Sequence, residues 1–178
     1  MGMARPFTFG PEEMAALKDI VLGGSWEERS GGQLIDAQGV AQRYMDDLSS
    51  GPRLSRRLKV VVACGNGTAG VFAPPVLAAI GCDVVPLDCE LDYTFPNYNP
   101  NPEDLEMLSA ASRSVLQYKA DLGLCFDGDG DRCGVIDNEG NAIFADKVGV
   151  LLARHFSRTS RNALFIADVK STGLFESD

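Results

Sequence analysis

The chain has 178 residues, 45% apolar and 23% charged, a balance that excludes a disordered chain and suits one globular domain with appended pieces. Sixteen basic against twenty-five acidic side chains leave a net charge of -9, which argues against nucleic acid as a partner, since phosphate recognition draws on clustered Lys and Arg. No apolar run approaches the ~20 residues of a membrane helix, and no secretory leader pattern opens the chain, so a cytoplasmic protein with no membrane partner is expected.

Residues 1–57 are expected to form an opening segment of two helices and a glycine-rich loop. Pro11 to Leu22 carries helical spacing through Met14, Leu17, Ile20 and Val21, with Pro11 suited to the first turn and Gly23-Gly24 to the stop. After a polar loop to Gly32, Asp36 is read as the cap of a second helix reaching about Leu48, with Val40, Tyr44 and Leu48 on one face.

From residue 58 to 162 short apolar runs alternate with amphipathic stretches. Lys59 to Cys64 reads as a strand buried on both faces. The turn Gly65-Asn66-Gly67-Thr68 leads into a helix from about Ala69 to Ile80, and Asp83 to Leu87 reads as a second strand. The stretch Phe95 to Pro102 holds too much proline for regular structure. Asn101 is expected to cap the next helix with Pro102 at its first position, and Leu105, Leu108, Ser112, Val115 and Leu116 to form its inner stripe. Asp121 to Phe126 is a third strand, Cys133 to Ile136 and Ala142 to Phe144 a hairpin, and Asp146 to Phe156 a helix. Residues 163–178 read as the truncated start of a further domain: a strand over Ala163 to Asp168, then a helix begun at Ser171 to Phe175. Strands alternating with helices predict an α/β fold with a mixed, mainly parallel sheet flanked by helices.

Five cysteines form no CxxC pair and show no zinc-like spacing, so buried reduced thiols are expected. His155 is the only histidine and is expected on a helix surface, without a catalytic role. Trp26 and Arg29 lie in the glycine-rich loop, which is expected to be mobile without neighbouring domains.

The sequence Asp127-Gly128-Asp129-Gly130-Asp131-Arg132 follows the third strand. Glycine spacers let the backbone fold tightly, so Asp127, Asp129 and Asp131 can converge, and such a set is costly without a cation. Mg²⁺, which prefers oxygen ligands, relieves that cost. The adjoining Arg132 offers a planar fork suited to a phosphoryl group. Other readings exist. An EF-hand loop would want glycine and a bidentate acid where Arg132 and Asn138 stand. A haloacid-dehalogenase-type phosphatase would use Asp127 as nucleophile and want a small hydroxyl residue where Asp131 stands, and a solvated acidic turn needs no ligand at all. A stand-alone, non-catalytic cation-binding domain is the alternative of a different class. Gly65 to Gly70, between strand and helix, reads as a tight packing turn or a weak phosphate site.

With these segments in this order, the chain resembles the α-D-phosphohexomutases, in their bacterial phosphomannomutase/phosphoglucomutase branch. The resemblance is carried by Gly65-Asn66-Gly67-Thr68-Ala69-Gly70, Phe95-Pro96-Asn97 with Asn99-Pro100-Asn101-Pro102, Ala120-Asp121-Leu122-Gly123, the DGDGDR loop and Asp168-Val169-Lys170-Ser171-Thr172. It implies the second, metal-binding domain of four, in an enzyme that interconverts hexose 1-phosphate and 6-phosphate of mannose or glucose. The reaction would pass through a phosphoserine and a bisphosphate. It further implies Mg²⁺ on Asp127, Asp129 and Asp131, Arg132 against the transferring phosphoryl group or the substrate, and Lys170 in the cleft assisting proton movement. Tyr98 stands where many members have histidine, with no expected effect on catalysis. The family's Ser-His-Asn nucleophile loop is absent from the sequence, as are its sugar-reading and phosphate-binding loops. This stretch alone is therefore expected to be inactive and to depend on other domains of the same parent chain.

Overall fold

A computed structural model describes residues 9–24, 26–160 and 162–177. The chain divides into two compact units, Met1–Gln38 and Gly39–Asp178. The described residues of the first include the helix α1 (Pro11–Gly23), opened by Gly10, whose N–H donates to the Glu13 carboxylate, and closed by Gly24 at φ 65, whose N–H donates to the Ile20 carbonyl. Trp26 is exposed. Asp36 does not cap a helix; its carboxylate accepts from the Gln38 side-chain amide at 2.6 Å.

The second unit begins with α2 (Val40–Ser49), whose N-cap is Gly39. It continues through β1 (Lys59–Ala63), α3 (Ala69–Ala79), β2 (Asp83–Leu87), α4 (Leu105–Tyr118), β3 (Leu122–Phe126), β4 (Cys133–Ile136), β5 (Ala142–Ile143), α5 (Ala145–Ser157) and the short α6 (Leu174–Ser177). The strands form one sheet in the order β2-β1-β3-β4-β5. β1 pairs parallel with β2 and β3, and the β3-β4 and β4-β5 pairings are antiparallel, so β4 alone runs against the rest. This is the expected mixed, mainly parallel α/β sheet.

β1 shows why this strand is central. Val60, Val62 and the following Cys64 pack with Ala69 and Cys82 beneath α3, whereas Val61 and Ala63 pack with Met107, Ala111 and Val115 of α4. Both faces are covered, as a run of valines in a parallel strand requires. Tyr44 of α2 meets Phe72 of α3 edge to face, ring centroids 5.5 Å apart.

Several expectations need correction. α4 starts at Leu105, and its cap is Asp104, whose side chain accepts from the N–H groups of Glu106 and Met107. Asn101 instead closes a tight turn over Pro102: its carbonyl accepts from the Asp104 N–H and its side chain from the Glu103 N–H. The inner face of α4 is Met107, Ala111 and Val115, while Leu105 and Leu116 point to solvent.

Residues 163–168 form no strand: the run is apolar from Ala163 to Ala167, but it pairs with neither sheet edge, leaving Leu164 and Ile166 exposed. The helix expected from Ser171 starts only at Leu174. All five cysteines are free thiols, but Cys133 is exposed and Cys89 only half-buried. His155 lies exposed on α5, as expected. Among the described residues no helix is long and apolar enough to cross a membrane.

Candidate metal centre

The acidic loop joins β3 to β4, and its two feet are the paired residues Phe126 and Cys133. Asp127, at the C-terminal end of β3, is only 3% exposed. Its carbonyl accepts from the Gly130 N–H at 3.1 Å, a tight turn completed by Gly130 at φ 78, where a side chain would be strained. The carboxylate of Asp127 is held twice by one residue: the Arg132 backbone N–H reaches Oδ1 at 3.1 Å and the Arg132 Nε reaches Oδ2 at 2.7 Å. A third bond, Arg132 Nη1 to Asn101 Oδ1 at 3.3 Å, fixes the guanidinium against the proline-rich stretch.

Asp127, Asp129 and Asp131 each place a carboxylate oxygen within 4.8 Å of the other two. Asp129 and Asp131 are exposed, so the cluster opens to solvent on one side. The charge of Asp129, then that of Asp127, pushes the Asp131 carboxyl above its ordinary range. Burial works against ionising Asp127, but the hydrogen bonds and charge of Arg132 outweigh it and hold this carboxyl low. The donor set consists of hard oxygens, one anchored and two adjustable. That chemistry fits Mg²⁺ or a similar cation, which takes a few carboxylates and completes its shell with water or phosphate.

What holds the loop in place was not evident from the motif. Thr68, at the start of α3, donates its N–H (3.0 Å) and its hydroxyl (3.2 Å) to the Gly128 carbonyl. Gly67 lies so close to Gly128 that a Cβ there would sit 2.8 Å from the Gly128 oxygen. The Gly65–Gly70 turn is thus a buttress for the acidic loop, and its packing reading prevails over a phosphate site.

The buttress is itself braced. Asn66, buried and at φ 63, donates its N–H to the Asp88 carbonyl (2.7 Å) and its side-chain amide to the Glu90 carbonyl (2.8 Å). Asp88, at φ 50, accepts from Asn97 Nδ2 and from the Tyr98 hydroxyl, each at 2.6 Å. Burial and then the Asp88 carboxylate push the Tyr98 hydroxyl well above its ordinary range, so it stays a donor. Tyr98 therefore has a bracing task that sequence reasoning missed. The glycine-flanked Asn66 was a readable signal of a left-handed turn; Asp88 offered none.

Lys170 stands apart. It is exposed, in the turn following residues 163–168, its N–H donates to Asp168 Oδ1 at 2.8 Å, and no hydrogen bond or ion pair joins it to the acidic loop.

Residues 42–140 match a family profile described as "Phosphoglucomutase/phosphomannomutase, alpha/beta/alpha domain II". The chain is 44% identical over 133 residues to a phosphomannomutase/phosphoglucomutase of Pseudomonas putida, covering 75% of this chain and 29% of that protein. It is 39% identical over 165 residues to a protein of the same name from Pseudomonas aeruginosa, covering 93% and 35%. Among solved structures, a phosphoglucomutase/phosphomannomutase family protein of Burkholderia thailandensis aligns with a TM-score of 0.71 at 32% identity over 85% of this chain and 32% of the other. One described as a phosphomannomutase, from Thermus thermophilus, aligns at 0.70 with 20% identity over 94% and 39%, a likeness of fold alone. The chain spans about a third of the length of the curated relatives it matches.

Proposed function

Since the chain belongs to the phosphoglucomutase/phosphomannomutase family through its α/β/α domain II, we propose that it is the cation-holding part of a longer cytoplasmic mutase. That enzyme would interconvert the 1-phosphate and 6-phosphate of mannose or glucose through a phosphoserine and a bisphosphate. The observation that carries this reading is the convergence of three carboxylates on a loop pinned at both feet. In this proposal residues 58–162 are the metal-binding domain and 163–178 begin the next, with substrate grip and nucleophile supplied by other parts of the parent chain.

Each residue has a task. Asp127 offers a carboxylate fixed by Arg132, and exposed Asp129 and Asp131 adjust around it. Held by these three carboxylates, Mg²⁺ would supply positive charge to a phosphoryl group. The Arg132 side chain stays half-exposed beside this cluster, where a planar donor fork suits a phosphoryl group. Phosphoryl transfer depends mostly on such positioning and on charge stabilisation, which this domain contributes without a nucleophile of its own. Lys170 is assigned to proton movement on the family resemblance, and its exposed turn leaves it available to a neighbouring domain.

The test is Mn²⁺ titration of the 178-residue chain, read from the paramagnetic signal of the free ion. One weakly bound ion is expected, with affinity reduced at least about tenfold in Asp129→Asn. Binding indifferent to that change would remove the metal assignment. In the full-length gene product, Asp129→Asn should abolish conversion of mannose and glucose 1-phosphates while the 178-residue chain turns over neither. Activity in the short chain would refute the division of labour.

A further inference from the structure

We propose that Cys64 and Cys89 are an oxidative modification site, a dithiol that hydroperoxides convert reversibly to an intramolecular disulfide. Cys64 directly follows β1 and Cys89 lies two residues past β2. These strands are parallel neighbours whose last pair is Ala63 with Leu87, so both thiols emerge at the same end of the sheet. Their sulfurs are 3.6 Å apart. A disulfide needs about 2.05 Å, so closure asks for a movement of ~1.5 Å. Cys89 is where that movement is available, since it sits outside the strand, after Asp88 at positive φ and before the irregular stretch leading to α4. Among the described residues no other two thiols are in hydrogen-bond contact.

The two sulfurs differ as an attacking and a resolving thiol should. Cys89 is half-buried and within reach of a small oxidant, whereas Cys64 is wholly buried. The hydrogen bond between the two sulfurs lowers the Cys89 thiol below its ordinary range against opposing burial and the Asp88 charge, while the same bond and burial push Cys64 up. Cys89 thiolate attacks the hydroperoxide, the O–O bond breaks, and Cys89 sulfenic acid forms as alkoxide or hydroxide leaves. The Cys64 thiol then attacks that sulfur; the S–S bond forms and water leaves. Two electrons pass from the sulfur pair to the peroxide, and an external thiol restores both groups. The link would close directly under the buttress turn: Cys64 precedes Gly65, and the Cys89 carbonyl packs on Gly70 with no room for a side chain between them.

The experiment uses a Cys133→Ser chain, which removes the exposed thiol. Native protein is treated with hydrogen peroxide, then denatured, alkylated and mapped by peptide mass spectrometry. The four remaining thiols should fall to two, with a linked Cys64–Cys89 peptide lighter by two hydrogens, and dithiothreitol should restore all four. In Cys64→Ala on the same background, Cys89 should stop at a sulfenic acid that dimedone traps. Oxidation of Cys89 past sulfenic acid while Cys64 stays free, or a chain that keeps all four thiols at millimolar peroxide, would overturn the proposal.

Discussion

Replacing Gly67 with alanine is the sharpest test of the claim that the Gly65–Gly70 turn sets the position of the acidic loop. The added methyl carbon would lie 2.8 Å from the Gly128 oxygen, 2.9 Å from the Gly128 Cα and 3.1 Å from the Cys64 oxygen. A comfortable separation is about 3.5 Å, so two backbone segments must part by ~0.7 Å, and neither is a side chain that can swing aside. Such overpacking costs ~1–3 kcal/mol, and with backbone on both sides about 2 kcal/mol is expected. For a chain of this size that corresponds to a melting temperature lower by about 4–8 °C. The parting would also strain the Thr68 bonds to the Gly128 carbonyl, the link between buttress and loop. Mn²⁺ affinity should therefore fall together with stability. Urea denaturation followed by circular dichroism, with Mn²⁺ titration on the same samples, measures both. Gly51→Ala, at a site with nothing within 4 Å, is the control and should stay within ~0.5 kcal/mol of wild type. A Gly67→Ala chain that matches the control in both measurements would refute the reasoning.

Asp127→Asn should cost about 1.5–3 kcal/mol in urea denaturation because it removes a charge-assisted bond to Arg132, whereas exposed Asp129→Asn should cost no more than ~0.5 kcal/mol. Equal losses would mean that Asp127 is not the loop's anchor. Met107→Ala, emptying a fully buried position between α4 and the sheet, should cost ~2–5 kcal/mol by calorimetry. Asp121 accepts the Lys59 N–H and the Arg56 guanidinium, and these bonds, that to Lys59 foremost, hold its carboxyl below the ordinary range. A depressed folded value means its stabilisation is present above the unfolded value of about 4 and is lost as pH falls through the folded value. Asp121→Asn should thus lower the melting temperature most at about pH 7 and progressively less as pH falls below about 4, while an equal drop throughout would contradict the sign.

Where the sequence speaks through local chemistry, it anticipates the structure closely. The valine run of β1 has no polar side, so it must be covered on both faces, and it is. Acids spaced by glycine can only form a tight loop, and they converge. What depends on choosing among nearby candidates was less readable. Asn101, Asp104 and Pro102 all carry helix-start signals, and the choice was made by a turn that Asn101 closes with its own carbonyl. Residues 163–168 have the short apolar run of a buried strand without a strand's partner, and such a run alone does not report a partner. Least visible was the brace built by Asp88, Asn97 and Tyr98 around Asn66. It joins residues distant along the chain, and Asp88 looks like any acid after a strand until the fold brings them together.

The pairing of Phe126 with Cys133 has an evolutionary consequence. Most surface connections tolerate insertions and deletions, but here one residue more or fewer would either respace the three carboxylates that converge or slip β4 against β3, and a slip would turn the side chains of β4 to the opposite face. Variation in this family's acidic hairpin should therefore proceed by exchanging side chains at constant length, and indels should collect instead in the segment between β2 and α4 or at the tip joining β4 to β5.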